Sequence, residues 1–173
     1  MTTRQILRQA VRAQVPETAY FRFAAANSGA FQMGMPHAMP GAMAAKRHQD
    51  LVVWQAADEL KREVYRLSNA GPASRDFRFR DQLRSAVSST TANITEGFRR
   101  YSPREFAQFL DYAYASAGET EHWLDDGVAR QYWAESDLRV ARIQLRRLDA
   151  GLRALMRYLR SPQAAANSRR RRA

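Results

Sequence analysis

The residue types able to do chemistry are few in this chain of 173 amino acids, and their spacing decides what each can do. Glu119 and His122 form an E-x-x-H pair. On a helix, residues three apart share a face, and in di-iron helical proteins two such pairs meet a Glu from each of two other helices. His37 and His48, the only other histidines, do not follow a Glu by three residues. One pair cannot build that centre, so Glu119 and His122 are expected on a helix surface or in a polar contact, with no metal. Ser88, Ser89 and Ser116 are possible nucleophiles, but there is no G-x-S-x-G elbow and no His placed to act as base. Phosphate-cradling G-x-x-x-x-G-K-[ST] and G-x-G-x-x-G loops are missing. Asp125 and Asp126 sit together near an expected helix end, facing solvent. Without Cys there is neither a disulfide nor a thiolate metal site. The expectation is a protein that is not an enzyme and carries no cofactor.

Arginine offers a different chemistry. Arg139, Arg146, Arg153 and Arg160 recur every seven residues, flanked by Arg142, Arg147 and Arg157 and interrupted by Asp149. A guanidinium fork matches phosphate oxygens, and a row of forks can follow a nucleic-acid backbone. The other reading is a solvated face that pairs with acids on neighbouring helices or subunits. Arg99 and Arg100 add a basic turn. Together these give the candidate nucleic-acid contacts Arg99, Arg100, Arg139, Arg142, Arg146, Arg153, Arg157 and Arg160.

The stretch "SSTTANITEG", Ser88 to Gly97, is polar where a helix should be apolar. Asn93 falls in the register of Phe79, Leu83, Ala86 and Thr90, where an unpaired amide would cost about 1–3 kcal/mol. Its expected role is to fix helix register. Ser89 and Thr90 are expected to hydrogen-bond across to a neighbouring helix, and Glu96 to join that network or anchor the next loop. Gly97 is expected to end the helix.

The elements that must position these residues are helical. Val53, Ala57, Leu60, Val64 and Leu67 alternate spacings of four and three. "SNAGPAS" then ends that helix. A second helix is predicted over roughly Phe77–Glu96. Ser102 as N-cap, Pro103 at the first helical position and Glu105 at the third start a third helix, carrying Phe106, Phe109, Leu110, Ala113, Ala117 and Leu124. The fourth has the cleanest pattern: Leu138, Leu145, Leu152 and Leu159 every seven residues, interleaved with Ala141, Leu148 and Leu155. Four long helices joined by short loops predict an all-α fold, an antiparallel up-down-up-down four-helix bundle over residues 46–161.

Residues 1–45 break this pattern. A short amphipathic helix around Ile6, Leu7, Ala10 and Val11 gives way to a Gly-, Pro-, Ala- and Met-rich stretch that cannot bury enough surface to order itself. The expected reading is an over-extended frame with the native start at one of Met33, Met35, Met39 or Met43, most simply Met43; a transit peptide is the alternative. The net charge of +11 is spread unevenly: four basic against one acidic residue in 1–45, twenty against sixteen in 46–161, and four against none in 162–173. Residues 162–173, ending in "SRRRRA", are expected to be a disordered Arg-rich tail that strengthens nucleic-acid contact without sequence preference. No apolar run reaches the ~20 residues that span a bilayer. A cytoplasmic protein without a membrane contact is expected.

Residues 48–160 resemble the four-helix-bundle family first noticed as proteins encoded in intervening sequences of bacterial 23S ribosomal RNA genes. The resemblance is carried by "DLVVWQAADELKREVYRL" and by "QLRSAVSSTTANITEGFRRYSPREFAQFL", with its Q-L-R, S-x-x-x-N-I-x-E-G and Ser-Pro-x-Glu-Phe segments. Residue by residue these are Ser89, Asn93, Ile94, Glu96, Gly97, Arg99, Ser102, Glu105 and Phe106. "SAGETE" adds Ser116, Glu119 and Glu121. Thr90, Thr91 and Thr95 depart from a pattern that is usually apolar or small there, and His122 matches no family ligand. The fold is similar to that of the accessory variability proteins of diversity-generating retroelements. The resemblance implies a homo-oligomer, a homopentameric ring with a positively charged surface and no catalytic activity. In the retroelement branch such rings bind a reverse transcriptase and its template RNA, which makes RNA and a reverse transcriptase the implied partners. Two expectations follow: an oligomeric RNA-binding protein, or a protein-interaction scaffold whose Arg stripe serves subunit or partner contacts.

Overall fold

The computed structural model describes residues 45–100 and 102–165, and all regular structure among them is helical. Four long helices follow one another: α1 (Val52–Ser68), α2 (Phe77–Phe98), α3 (Pro103–Ala129) and α4 (Arg139–Leu159). The short N-terminal helix, the candidate start methionines and the Arg169–Arg172 tail fall outside the described residues. Among those described, no helix is long and apolar enough to cross a membrane.

Local chemistry sets the boundaries. Asp76 caps α2 by accepting the Phe79 N–H at 3.0 Å. Ser102 caps α3 in the same way, accepting the Glu105 N–H at 3.1 Å, with Pro103 at the first helical position. Glu105 reaches back to the Ser102 hydroxyl at 2.8 Å instead of to its backbone, so half of the expected capping box forms. Between α1 and α2, Gly71 takes a positive φ of 61° that side chains disfavour. Gln131, just after α3, holds the same left-handed angle without being Gly.

The predicted end of α2 needs correction. The helix runs through Gly97 to Phe98, and Gly97 is buried inside it. A Cβ there would lie 2.7 Å from both Phe106 Cδ2 and Phe109 Cβ of α3. Gly97 is glycine because two helices touch, and the stop comes after it at Arg99, in ordinary right-handed conformation.

The apolar stripes read from the sequence are the core. Val53, Ala57, Leu60, Val64 and Leu67 of α1 are buried, as are Leu138 just before α4 and Ala141, Leu145, Leu148, Leu152, Leu155 and Leu159 along it. Each helix packs on the next in sequence, and α1 packs on α4. Between α1 and α2, Trp54 donates to Thr95 at 3.0 Å, Tyr65 and Ser88 share a hydrogen bond of 3.3 Å, and Arg84 donates to Ser68 at 2.9 Å. Between α2 and α3, the Phe79 and Trp123 rings lie 5.7 Å apart and the Ser89 and Ser116 hydroxyls 3.0 Å apart, and Gly97 abuts Phe106. Asp111, Tyr114 and Asp125 of α3 meet, respectively, Arg160 just after α4 and Arg153 and Arg142 within it. Glu59 and Val53 of α1 meet Arg147 and Gly151 of α4. In every pair, moving forward along one helix moves the contact backward along the other.

Candidate nucleic-acid interface

The leucine seam of α4 fixes what its opposite face must show. With 100° per residue, Arg139, Arg146 and Arg157 project within about 20° of one another, away from the seam. All three are exposed, and none has a hydrogen bond or ion pair among the described residues. They span about 27 Å of helix, the rise of roughly eight stacked base pairs.

The other arginines of the stripe are engaged. Arg142 is the most enclosed, its side chain 17% exposed. Its Nε and Nη2 bond both carboxylate oxygens of Glu135 at 3.0 and 3.1 Å, and it also pairs with Asp125 and approaches Glu121 at 3.8 Å. Glu135, with Asp125 behind it, holds the guanidinium's pKa above its ordinary value, and Arg142 holds the Glu135 carboxyl below its own. Arg160 pairs with Asp111. Arg153 pairs with Asp149 on its own helix and donates to the Tyr114 hydroxyl at 3.3 Å. Arg147 reaches Glu59 at 3.2 Å. At the α2–α3 turn, Arg100 pairs with Glu96 and lies 4.4 Å over the Phe109 ring, while Arg99 is exposed and has no partner among the described residues. The eight candidate contacts thus divide into Arg99, Arg139, Arg146 and Arg157, which are open, and Arg100, Arg142, Arg153 and Arg160, which already hold acids.

The polar stretch of α2 is a set of satisfied hydrogen bonds. Ser89 bonds Ser116 across to α3 as expected, but Thr90 is fully buried and donates to Ala86 O of its own helix at 3.3 Å. Asn93 is half-buried beside the core. Its amide donates to Ser89 O at 2.9 Å and Ser89 Oγ at 3.1 Å, so it steadies the residue that bridges to α3. Thr90 and Thr91 occupy the core register expected for Asn93, because their methyl groups pack while their hydroxyls bond back to the helix. Glu96 is exposed and joins Arg100, apart from the network. Among the described residues, no histidine hydrogen-bonds any of these hydroxyls. Glu119 and His122 are both exposed on α3, and the described residues hold no group of three or more His, Cys, Asp or Glu suited to a metal.

Two arrangements were not anticipated. Asp76 accepts the Tyr132 hydroxyl at 2.7 Å while capping α2, with Arg130 3.5 Å away. The Phe79 N–H and the Tyr132 hydroxyl hold its carboxyl below the usual range. The second is a groove between α1 and α2 at Trp54 and Lys61 that continues along α1 past Lys61 to Tyr65. Their spacing of seven and four was the signal that all three share one shoulder of α1.

No curated protein matches the chain. A family model described as 23S rRNA-intervening sequence protein matches residues 49–154, a span holding all four helices except the last turn or so of α4. The chain therefore belongs to the family of 23S rRNA-intervening sequence proteins.

Proposed function

We propose that this protein is a non-enzymatic RNA-binding homo-oligomer whose α4 flank lies along the phosphate backbone. Its four helices form an antiparallel up-down-up-down bundle over residues 46–161, with 1–45 an extension and 162–173 a basic tail. The reversed order of contacts in each helix pair supports the antiparallel arrangement, and the α1–α4 contact closes the ring of helices. The observation that carries the RNA reading is the row of Arg139, Arg146 and Arg157, exposed and unpaired among the described residues. Arginines without an acid nearby retain their full charge for a polyanion. Arg142 and Arg160 serve the α3–α4 contact instead. Family membership supports a cytoplasmic ring of five copies, and a reverse transcriptase is the protein partner that the retroelement branch would supply.

A specific observation favours the scaffold reading as second. Val140 is 49% exposed, and Ile143 and Ala150 are half-buried beside the open arginines. Apolar groups next to Arg suit a subunit contact. One variant separates the two readings: Arg139→Glu, Arg146→Glu and Arg157→Glu together. In the RNA reading it loses RNA in a gel-shift assay and keeps its oligomeric size by sedimentation. In the scaffold reading the size falls instead.

A further inference from the structure

We infer that the groove that starts between α1 and α2 and continues along α1 to Asn69 is a track for single-stranded nucleic acid. This rests on the partner class proposed above but uses a surface distinct from the α4 flank. Two adjoining hollows, one of about 510 Å³ between α1 and α2 and one of about 400 Å³ against α1 and Asn69 alone, share Lys61 as a common wall. Between Trp54 and Asn69 they follow α1 for about 22 Å, room for roughly six stacked nucleotides.

The lining combines the two groups such a strand needs, cations for its phosphates and rings for its bases. Beside the second hollow, behind Tyr65 and Asn69, Arg84 bonds only neutral partners, Ser68 Oγ at 2.9 Å and Asn69 Oδ1 at 2.6 Å, so its charge is uncompensated at that end. Arg99 stands at the other end with no partner among the described residues. Between them, Lys61 and Arg62 share one carboxylate, that of Asp58, at 3.2 and 2.6 Å, leaving one positive charge in excess. The remaining acids are committed, Glu63 to Arg66 and Glu96 to Arg100. Tyr65 is 38% exposed, with the Arg84 guanidinium 4.8 Å over its ring. Trp54 lies half-buried in the same groove. Stacking on these rings requires unpaired bases, which selects a single strand over a duplex.

The test uses the full chain with a 12-nucleotide oligo(U) containing 5-iodouridine, and a 12-base-pair RNA duplex as comparison. Ultraviolet cross-linking of the wild-type chain should mark peptides containing Tyr65 or Trp54. The variant Arg62→Glu with Arg84→Gln should lose at least tenfold in oligo(U) affinity and lower the log–log salt slope by about 1.4. Tyr65→Ala should lose severalfold with the slope unchanged. Duplex affinity should stay near wild type in both. Cross-links confined to α4, with wild-type oligo(U) affinity in the Arg62/Arg84 variant, would overturn the groove and leave the α4 function standing. A wild-type chain that binds neither probe would overturn both.

Discussion

Gly97 and Gln131 illustrate how single positions carry the geometry, and each makes a prediction. At Gly97 the space for a methyl is taken by Phe106 and Phe109. Gly97→Ala should therefore destabilise the protein by about 1–3 kcal/mol, because overpacking outweighs the gain in helix propensity. A thermal melt of the variant checks this; a midpoint at or above wild type would mean that α2 and α3 are less closely packed there. Gln131 has the opposite character, since a side chain in the left-handed region costs about 1–2 kcal/mol. Gln131→Gly should relieve that cost, offset in part by glycine's greater freedom when unfolded, for a net gain of up to ~1 kcal/mol in denaturant unfolding. The sequence pointed to Gly97 but not to its reason. A Gly near an expected helix end reads as a stop, and only the seating of α3's first turn shows that it is a contact.

At the scale of elements, the leucine seam of α4 was legible because one strongly periodic face outweighs everything else in its window. Which arginines remain open was not legible. That depends on Asp111 and Asp125, which stand 49 and 17 residues from their partners and meet them only once α3 packs on α4. Asn93 misled for a related reason. Its heptad register fits the core, yet β-branched Thr90 and Thr91 fill it better by returning their hydroxyls to the backbone. The Asp76 cap belongs at this scale too, since it joins the start of α2 to the connection after α3 through Tyr132. Its carboxyl is held below the ordinary value in the fold. The unfolded chain therefore takes up the proton first, and the cap's contribution is present above the usual carboxylate range and lost as pH falls through the folded pKa. Asp76→Asn should flatten that part of the stability–pH profile while leaving the neutral-to-alkaline part parallel to wild type, as denaturant titrations at several pH values would record. A profile unchanged between pH 3 and 6 would remove Asp76 as a linkage point.

For the whole molecule, charge is sorted rather than merely abundant. Much of the positive charge of residues 46–161 is matched by acids within the fold; among the described residues Arg75, Arg78, Arg84, Arg99 and Arg104 also lack an acid partner, but Arg139, Arg146 and Arg157 are the ones aligned along one helix flank. In the proposed function the folded flank holds RNA and the tail is an accessory. The most direct test is the salt dependence of RNA affinity in three full-length proteins: wild type, Arg139→Glu/Arg146→Glu/Arg157→Glu, and a tail variant with Arg169 to Arg172 all changed to Gln. Each phosphate contact contributes about 0.7–0.9 to the log–log slope. The flank variant should lose at least two units of slope and most of its affinity, while the tail variant should lose affinity evenly across RNA sequences and keep its specificity. A flank variant that binds like wild type, beside a tail variant that no longer binds, would contradict the proposed function.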